Sequence, residues 1–314
     1  MKKVTGVMAL LGGAALMELG ISAYFYRRTM TRNNAKTERT MKMAGTDWNQ
    51  HMAFIGERKE YMLSQPHADR WITSEDGLKL HATWFPNGDC KKVVLCFHGY
   101  TSQGMSDYIG LSGYYLKNGY SMLLVDERAH GQSEGKYIGF GCLDRKDALK
   151  WIAHIVESCG EDVQILLHGT SMGGATVLMT SGFALPSQVK GIISDCAFTS
   201  PKEVFTHVLK HMIHLPAFPI IQISDFFNRK LAGYGLDECN AAREVQNAKV
   251  PILFIHGSKD TFVPCDMCET IYNNCASSKQ KLIVEGAAHA ESYYKDTEAY
   301  EKALDEFIES IVLA

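Results

Sequence analysis

The chain carries almost no surplus of charge: 32 lysines and arginines face 35 aspartates and glutamates, a formal net charge of -3. No basic stripe with interleaved aromatics crosses its body, so a nucleic acid is not an expected partner. A disulfide framework is lacking too. The nine cysteines (Cys90, Cys96, Cys142, Cys159, Cys196, Cys239, Cys265, Cys268, Cys275) are odd in number, scattered, and several fall in apolar strand-like runs. That is the pattern of free thiols in a reducing setting. Cys265 and Cys268 form a lone C-x-x-C with no second pair, and no H-E-x-x-H is present, so the four ligands of a structural zinc site are missing. Neither a metal nor an organic cofactor is expected. Internal repeats are absent. A hydrophobic share of 46% and a charged share of 21% lie near globular averages, which excludes disorder and fibrous repeats.

One long apolar run is present, at the start. Residues 4–26, VTGVMALLGGAALMELGISAYFY, hold a single charge, Glu18, and are long enough to span a bilayer as a helix. Tyr24, Phe25 and Tyr26 would then sit at the interface, with Arg27 and Arg28 at the boundary. The other reading is a cleaved secretory signal, which the short Lys2-Lys3 start fits. Against it, Ile21 occupies the third position before the only obvious cut, after Ala23. Residues 1–45 are therefore expected to be a membrane anchor and basic linker. Arg27, Arg28, Arg32, Lys36, Arg39 and Lys42 follow the run, against Lys2, Lys3 and the amino terminus before it. The positive-inside rule then makes this a single-pass protein of the cell membrane with its domain in the cytoplasm. Glu18 would be costly at mid-bilayer and could mark a partner helix.

Residues 45–66 are polar and helix-compatible and read as a link to a domain spanning 46–314. RWITSEDGLKLHATWFP gives two β-rich runs around Asp76-Gly77, a hairpin signal. Apolar β-rich runs follow at 92–97, 121–126, 163–168, 189–195, 250–256 and 280–285, alternating with helical patterns at 142–158, from Met172, at 265–275 and at 297–314. Near-continuous apolar strands separated by helices predict a mostly parallel sheet covered on both faces. More than fifty residues separate the fourth and fifth of these runs. This apolar insertion, about 199–247, is expected to cap a pocket.

Ser171 sits between the run VQILLH and a helix, in Gly169-Thr170-Ser171-Met172-Gly173. A sharp strand-to-helix turn leaves little room for side chains, hence glycine two positions before and two after. A serine hydroxyl needs a base to take its proton, and the base needs an acid to fix its tautomer. Asp260, after the run VPILFIHG, and His289, just before the final helix, stand at loop ends able to supply them.

Four stretches, FHGYTS, DERAHGQSEG, HGTSMGGA and HGSKDTFVP with GAAH, resemble the α/β-hydrolase superfamily from about residue 66 to the end. The order Ser171, Asp260, His289 is the order of that fold. The resemblance implies a serine hydrolase of the esterase, lipase or serine-aminopeptidase type, with Ser171 as nucleophile, His289 as base and Asp260 as acid. It also implies an oxyanion hole from the backbone N–H groups of Tyr100 and Met172. An ester of a small or acyl-bearing substrate is the expected target; peptidase, thioesterase and acyltransferase chemistry would use the same triad, and a silent binding protein on this fold is the remaining reading. Ala129 stands where the family more often has glycine, and Thr170 where many relatives have histidine.

Bland roles compete for other residues. Asp195, ending its strand, is the rival acid. Asp126, Arg128 and His130 read as loop ties, with His130 alternatively lining the pocket, and His98 and His256 read as supports at strand ends. His207, His211 and His214 fall at i, i+4 and i+7 on an expected helix and so share one face, a polar cap surface in preference to a zinc site.

Overall fold

The computed structural model describes residues 2–32 and 45–312. Lys36, Arg39 and Lys42 of the expected basic linker lie outside the described residues, as do Leu313 and Ala314.

The opening helix α1 (Lys2–Met30) contains the apolar run. After a short turn at Trp48–His51, α2 (Met52–Ser64) leads into the antiparallel strands β1 (Ala68–Thr73) and β2 (Lys79–Phe85). Then follow β3 (Lys92–Phe97), α3 (Ile109–Lys117), β4 (Ser121–Val125), α4 (Asp144–Cys159), β5 (Gln164–Thr170), α5 (Met172–Thr180) and β6 (Val189–Asp195). The insertion holds α6 (Pro201–His207) and α7 (Ile220–Leu231), and β7 (Ile252–Gly257), α8 (Cys265–Asn274), β8 (Lys279–Val284) and α9 (Thr297–Val312) complete the chain. The eight-stranded sheet runs in the order β1-β2-β4-β3-β5-β6-β7-β8. From β3 to β8 its pairings are parallel.

The apolar runs explain the double cover. Successive side chains of a strand point to opposite faces: Val93, Leu95 and Phe97 enter one core with Ile165, Leu167 and Phe254, while Val94 and Cys96 enter the other with Leu166, Leu253 and Ile255. Trp151 and Ile152 of α4 cover the first face. On the second, α9 presents Tyr300, Leu304 and Phe307, all buried at helical spacing. Register brings Phe97, Gly169 and Ser194 abreast, and Thr170 beside Asp195 and Ile255, so the C-terminal strand ends form one edge.

The membrane-anchor expectation for residues 4–26 is not supported by the structure. Among the described residues no helix is long and apolar enough to cross a membrane. Ser22, Phe25, Tyr26 and Met30 are buried, Phe25 edge-on to Phe205 at 5.9 Å and Tyr26 5.8 Å from Phe227. The chain then zips onto the loop after β4: Ile138 N–H donates to Met30 O (2.9 Å) and Arg32 N–H to Lys136 O (2.8 Å). An apolar periodicity does not say whether protein or lipid will cover it; for Phe25 and Tyr26 the cover is α6 and α7, while Tyr24 is exposed.

Candidate active site

At the end of β5 the backbone turns through Ser171, held at φ 56° and ψ -110°, directly into α5. A left-handed φ is costly for a residue with a side chain. The neighbours could not carry one: a Cβ on Gly173 would lie 1.9 Å from Phe97 O, and one on Gly169 2.1 Å from Gly173 O. The turn presses helix against strand and lifts the Ser171 hydroxyl over the sheet edge.

Two neighbouring strand ends meet it there. Asp260 follows β7 and His289 follows β8. The Ser171 hydroxyl lies 2.8 Å from His289 Nε2, and His289 Nδ1 lies 2.7 Å from Asp260 Oδ2. All three residues are buried. Asp260 Oδ1 accepts the backbone N–H groups of Phe262 (2.9 Å) and Val263 (2.8 Å), which fix the carboxylate plane. Burial alone would raise the Asp260 pKa, but the charge of His289 and hydrogen bonds from His256 and His289 hold it well below the usual carboxylate range. His256, read from the sequence as a support at its strand end, sits beside this carboxylate. Its Nε2–H donates to Val263 O (2.8 Å) while lying 3.3 Å from Asp260 Oδ2.

Asp195, the rival acid, is on the same edge but does not bond to His289. Its oxygens accept from Tyr300 (3.1 Å) and Ser292 (3.4 Å), its backbone carbonyl accepts the Ser171 N–H (2.8 Å), and burial pushes its pKa up to about 6 against the opposing charge of His256. The loop after β3 carries Tyr100, on the cavity wall. Asp107 steadies that loop by accepting Gly99 N–H (2.7 Å), a role that no motif announces. Met172 opens α5, where the first N–H groups of a helix have no intrahelical partner. His98 bridges Gly99 O (2.7 Å) and Glu127 N–H (3.0 Å). His130 accepts Thr101 N–H at 3.3 Å, and burial, with His98 beside it, pushes its pKa down to about 3. Arg128 is spent on Asp147 and Asp76, and Asp126 on His81 and Gln132. Ala129 takes the glycine position with φ 62°.

The histidine face of the insertion forms only in part, His207 and His211 staying together while His214 leaves it. After α6 the chain widens into a π-helical turn, Val208–Ile213, and His214 is left-handed, so the i, i+4, i+7 register is broken. His207 donates to Thr261 O (2.9 Å), and its ring stacks on His211 at 4.8 Å. Among the described residues the ligating atoms that converge are those of Cys196, Asp260 and His289, within 4.8 Å of one another. That set suits a metal poorly: burial pushes the Cys196 thiol pKa well up, and His289 Nδ1 already faces Asp260.

A cavity of about 310 Å³ opens onto Ser171 and His289. Its lining corrects the expected division of labour. Among the described residues none from 199–247 lines it, whereas Trp48, Met52 and Ile55 do. The segment read as a link lines it, and the insertion packs instead on α1. The missed signal was the i, i+4, i+7 spacing of Trp48, Met52 and Ile55.

The family described as serine aminopeptidase, S33, matches residues 88–230. YqkD of Bacillus subtilis strain 168, an uncharacterized protein, is 29% identical over 228 residues, covering 72% of this chain and 73% of its own. WAV2 of Arabidopsis thaliana, an alpha/beta hydrolase domain-containing protein, is 24% identical over 254 residues, 77% of this chain and 79% of its own. Among solved structures, the esterase Pf2001 of Pyrococcus furiosus superposes with a TM-score of 0.66 at 24% identity, over 79% of this chain and 92% of that one. With its sheet order, its strand-to-helix turn at Ser171 and these likenesses, the chain has the α/β-hydrolase fold.

Proposed function

We propose that the protein is a serine hydrolase that cleaves a carboxylic ester through an acyl-enzyme. The observation that carries this reading is the unbroken line from the Ser171 hydroxyl through His289 to Asp260, at 2.8 and 2.7 Å, opening on a cavity. Ser171 Oγ attacks the ester carbonyl carbon as His289 Nε2 takes its proton. The N–H groups of Tyr100 and Met172 stabilise the oxyanion, an effect worth several kcal/mol where such donors are preorganised. The carbon–oxygen bond to the alcohol then breaks, and His289 returns the proton to the leaving oxygen. Water attacks the acyl-enzyme with His289 again as base, releasing the acid and restoring Ser171. Asp260, ionised throughout, keeps the Nδ1–H tautomer and balances the imidazolium.

The likeness to the serine aminopeptidase family supports a second reading, amide cleavage by the same line of residues. Labelling with a fluorophosphonate, followed by hydrolysis of p-nitrophenyl esters against amino-acid p-nitroanilides, tests both. Wild type is expected to label and to hydrolyse esters, and Ser171→Ala to do neither. Failure of wild type to label beside a control hydrolase would sink the enzyme reading and leave a binding protein.

A further inference from the structure

The cover of the cavity comes from a segment that the proposed chemistry does not require. Trp48, Met52 and Ile55 share one face across the turn at Trp48–His51 and the start of α2, and all three line the cavity. That segment is fastened to the loop bearing His289. Thr46 Oγ1–H donates to the backbone oxygen of His289 (2.8 Å). Gln50 Nε2 and His51 Nε2 each reach Glu291 Oε1 at 2.9 Å, and Glu291 Oε2 accepts Ala288 N–H at 2.8 Å. Trp48 stands edge-on to Tyr294 at 5.4 Å, and the far end of α2 is pinned by buried Met62.

The chemistry of this roof is apolar. Met52 remains 56% exposed although it lines the cavity, so an aliphatic chain entering there would take its side chain out of water, a gain of about 25 cal/mol per Å². The volume of about 310 Å³ stands at the low end of the roughly 300–1,000 Å³ usual for ligand pockets. We infer that residues 46–64 form the roof of the acyl pocket, that Trp48, Met52 and Ile55 set the acyl length it admits, and that the substrate is an ester of a short-to-medium aliphatic acid. This rests on the serine-hydrolase reading.

The test uses the full chain as wild type, Ile55→Trp, Met52→Ala and, as a control exposed on α7, Phe226→Ala. Each is titrated with ethyl and dodecyl fluorophosphonates and assayed on p-nitrophenyl esters from acetate to palmitate. Ile55→Trp is expected to lose roughly tenfold or more in kcat/KM on octanoate, since one methylene of misfit costs about that much, while acetate is nearly unchanged. Met52→Ala shifts the preference, in esters and in labelling rates alike, to longer chains, and Phe226→Ala shifts nothing. Should Ile55→Trp fail to fold, the more exposed Met52 position decides. If wild type labels but neither roof variant moves the chain-length preference, the roof inference is overturned and the serine hydrolase stands. If wild type does not label, both fall.

Discussion

The hydroxyl of Thr46 donates to the backbone carbonyl of His289 at 2.8 Å, both residues being buried. Through this bond the start of the roof and the proposed catalytic base are parts of one unit, so a change in the first is felt at the second. Thr46→Val keeps the shape but leaves a buried carbonyl unpaired, at a cost of about 1–3 kcal/mol. The expected outcome is a lower melting temperature and a reduced kcat on every ester alike, with the chain-length preference retained. A variant that changed the preference but not the rate would separate Thr46 from the His289 loop.

The two carboxylates of the site divide its labour. Asp260→Asn is expected to lower turnover by about 10⁴, because the amide favours the wrong histidine tautomer. Asp195→Asn should cost far less, since Asp195 bonds to Tyr300 and Ser292 and not to His289. Steady-state kinetics of the two variants on one ester decide it, and the reverse ranking would move the acid to β6.

The same pair should leave opposite marks on the pH dependence of stability. Asp260 has a depressed pKa in the folded chain, so its contribution is present above the unfolded value of about 3.9 and is lost as pH falls through the folded one. Asp195 is raised to about 6. Below about pH 4 it is protonated folded or unfolded and contributes nothing; between about 4 and 6 the unfolded chain ionises first, and stability declines by roughly 2–3 kcal/mol in all. Melting curves at pH 4 and pH 8 check this: Asp195→Asn should gain on wild type at pH 8 and not at pH 4.

Docking of α1 on the domain gives a test independent of catalysis. Phe25→Ala removes a buried ring that stands edge-on to Phe205, and losses of about 3–5 kcal/mol are usual for such a change. A clear drop in the melting temperature of the domain is expected. A helix held by lipid alone would leave that temperature unchanged.

Much of this was legible in the sequence, for identifiable reasons. The run 189–195 became β6 with the same limits, and the patterns at 265–275 and 297–314 became α8 and α9 within two residues, because buried parallel strands and amphipathic helices write their periodicity locally. Ser171, Asp260 and His289 stand out because each follows an apolar strand within a few residues, with a glycine two or three positions before it. What failed was partner identity. Phe25 and Tyr26 look alike whether they face lipid or Phe205 and Phe227. Trp48, Met52 and Ile55 make too short a stripe to declare a face, and what they cover lies more than a hundred residues away at Ser171. His214 was lost from the face of His207 and His211 to a single π-helical turn that residue types do not announce.

The backbone at Ser171 offers a final test, one that separates strain from chemistry. With φ 56° and ψ -110°, the residue sits where a Cβ is crowded and glycine is not. Both Ser171→Ala and Ser171→Gly remove the hydroxyl and its bond to His289, so the two variants lose the same interaction and both should be inactive. They differ in the Cβ. Glycine loses more backbone entropy on folding, about 0.5–1 kcal/mol, but it relieves a strain of roughly 1–3 kcal/mol, so Ser171→Gly should be the more stable of the pair by about 1 kcal/mol. Chemical denaturation of the two inactive variants measures that difference directly. If alanine proved equal or better, the turn would not be strained at Ser171, and the placement of its hydroxyl over the sheet edge would have to be explained by the packing of Gly169 and Gly173 alone.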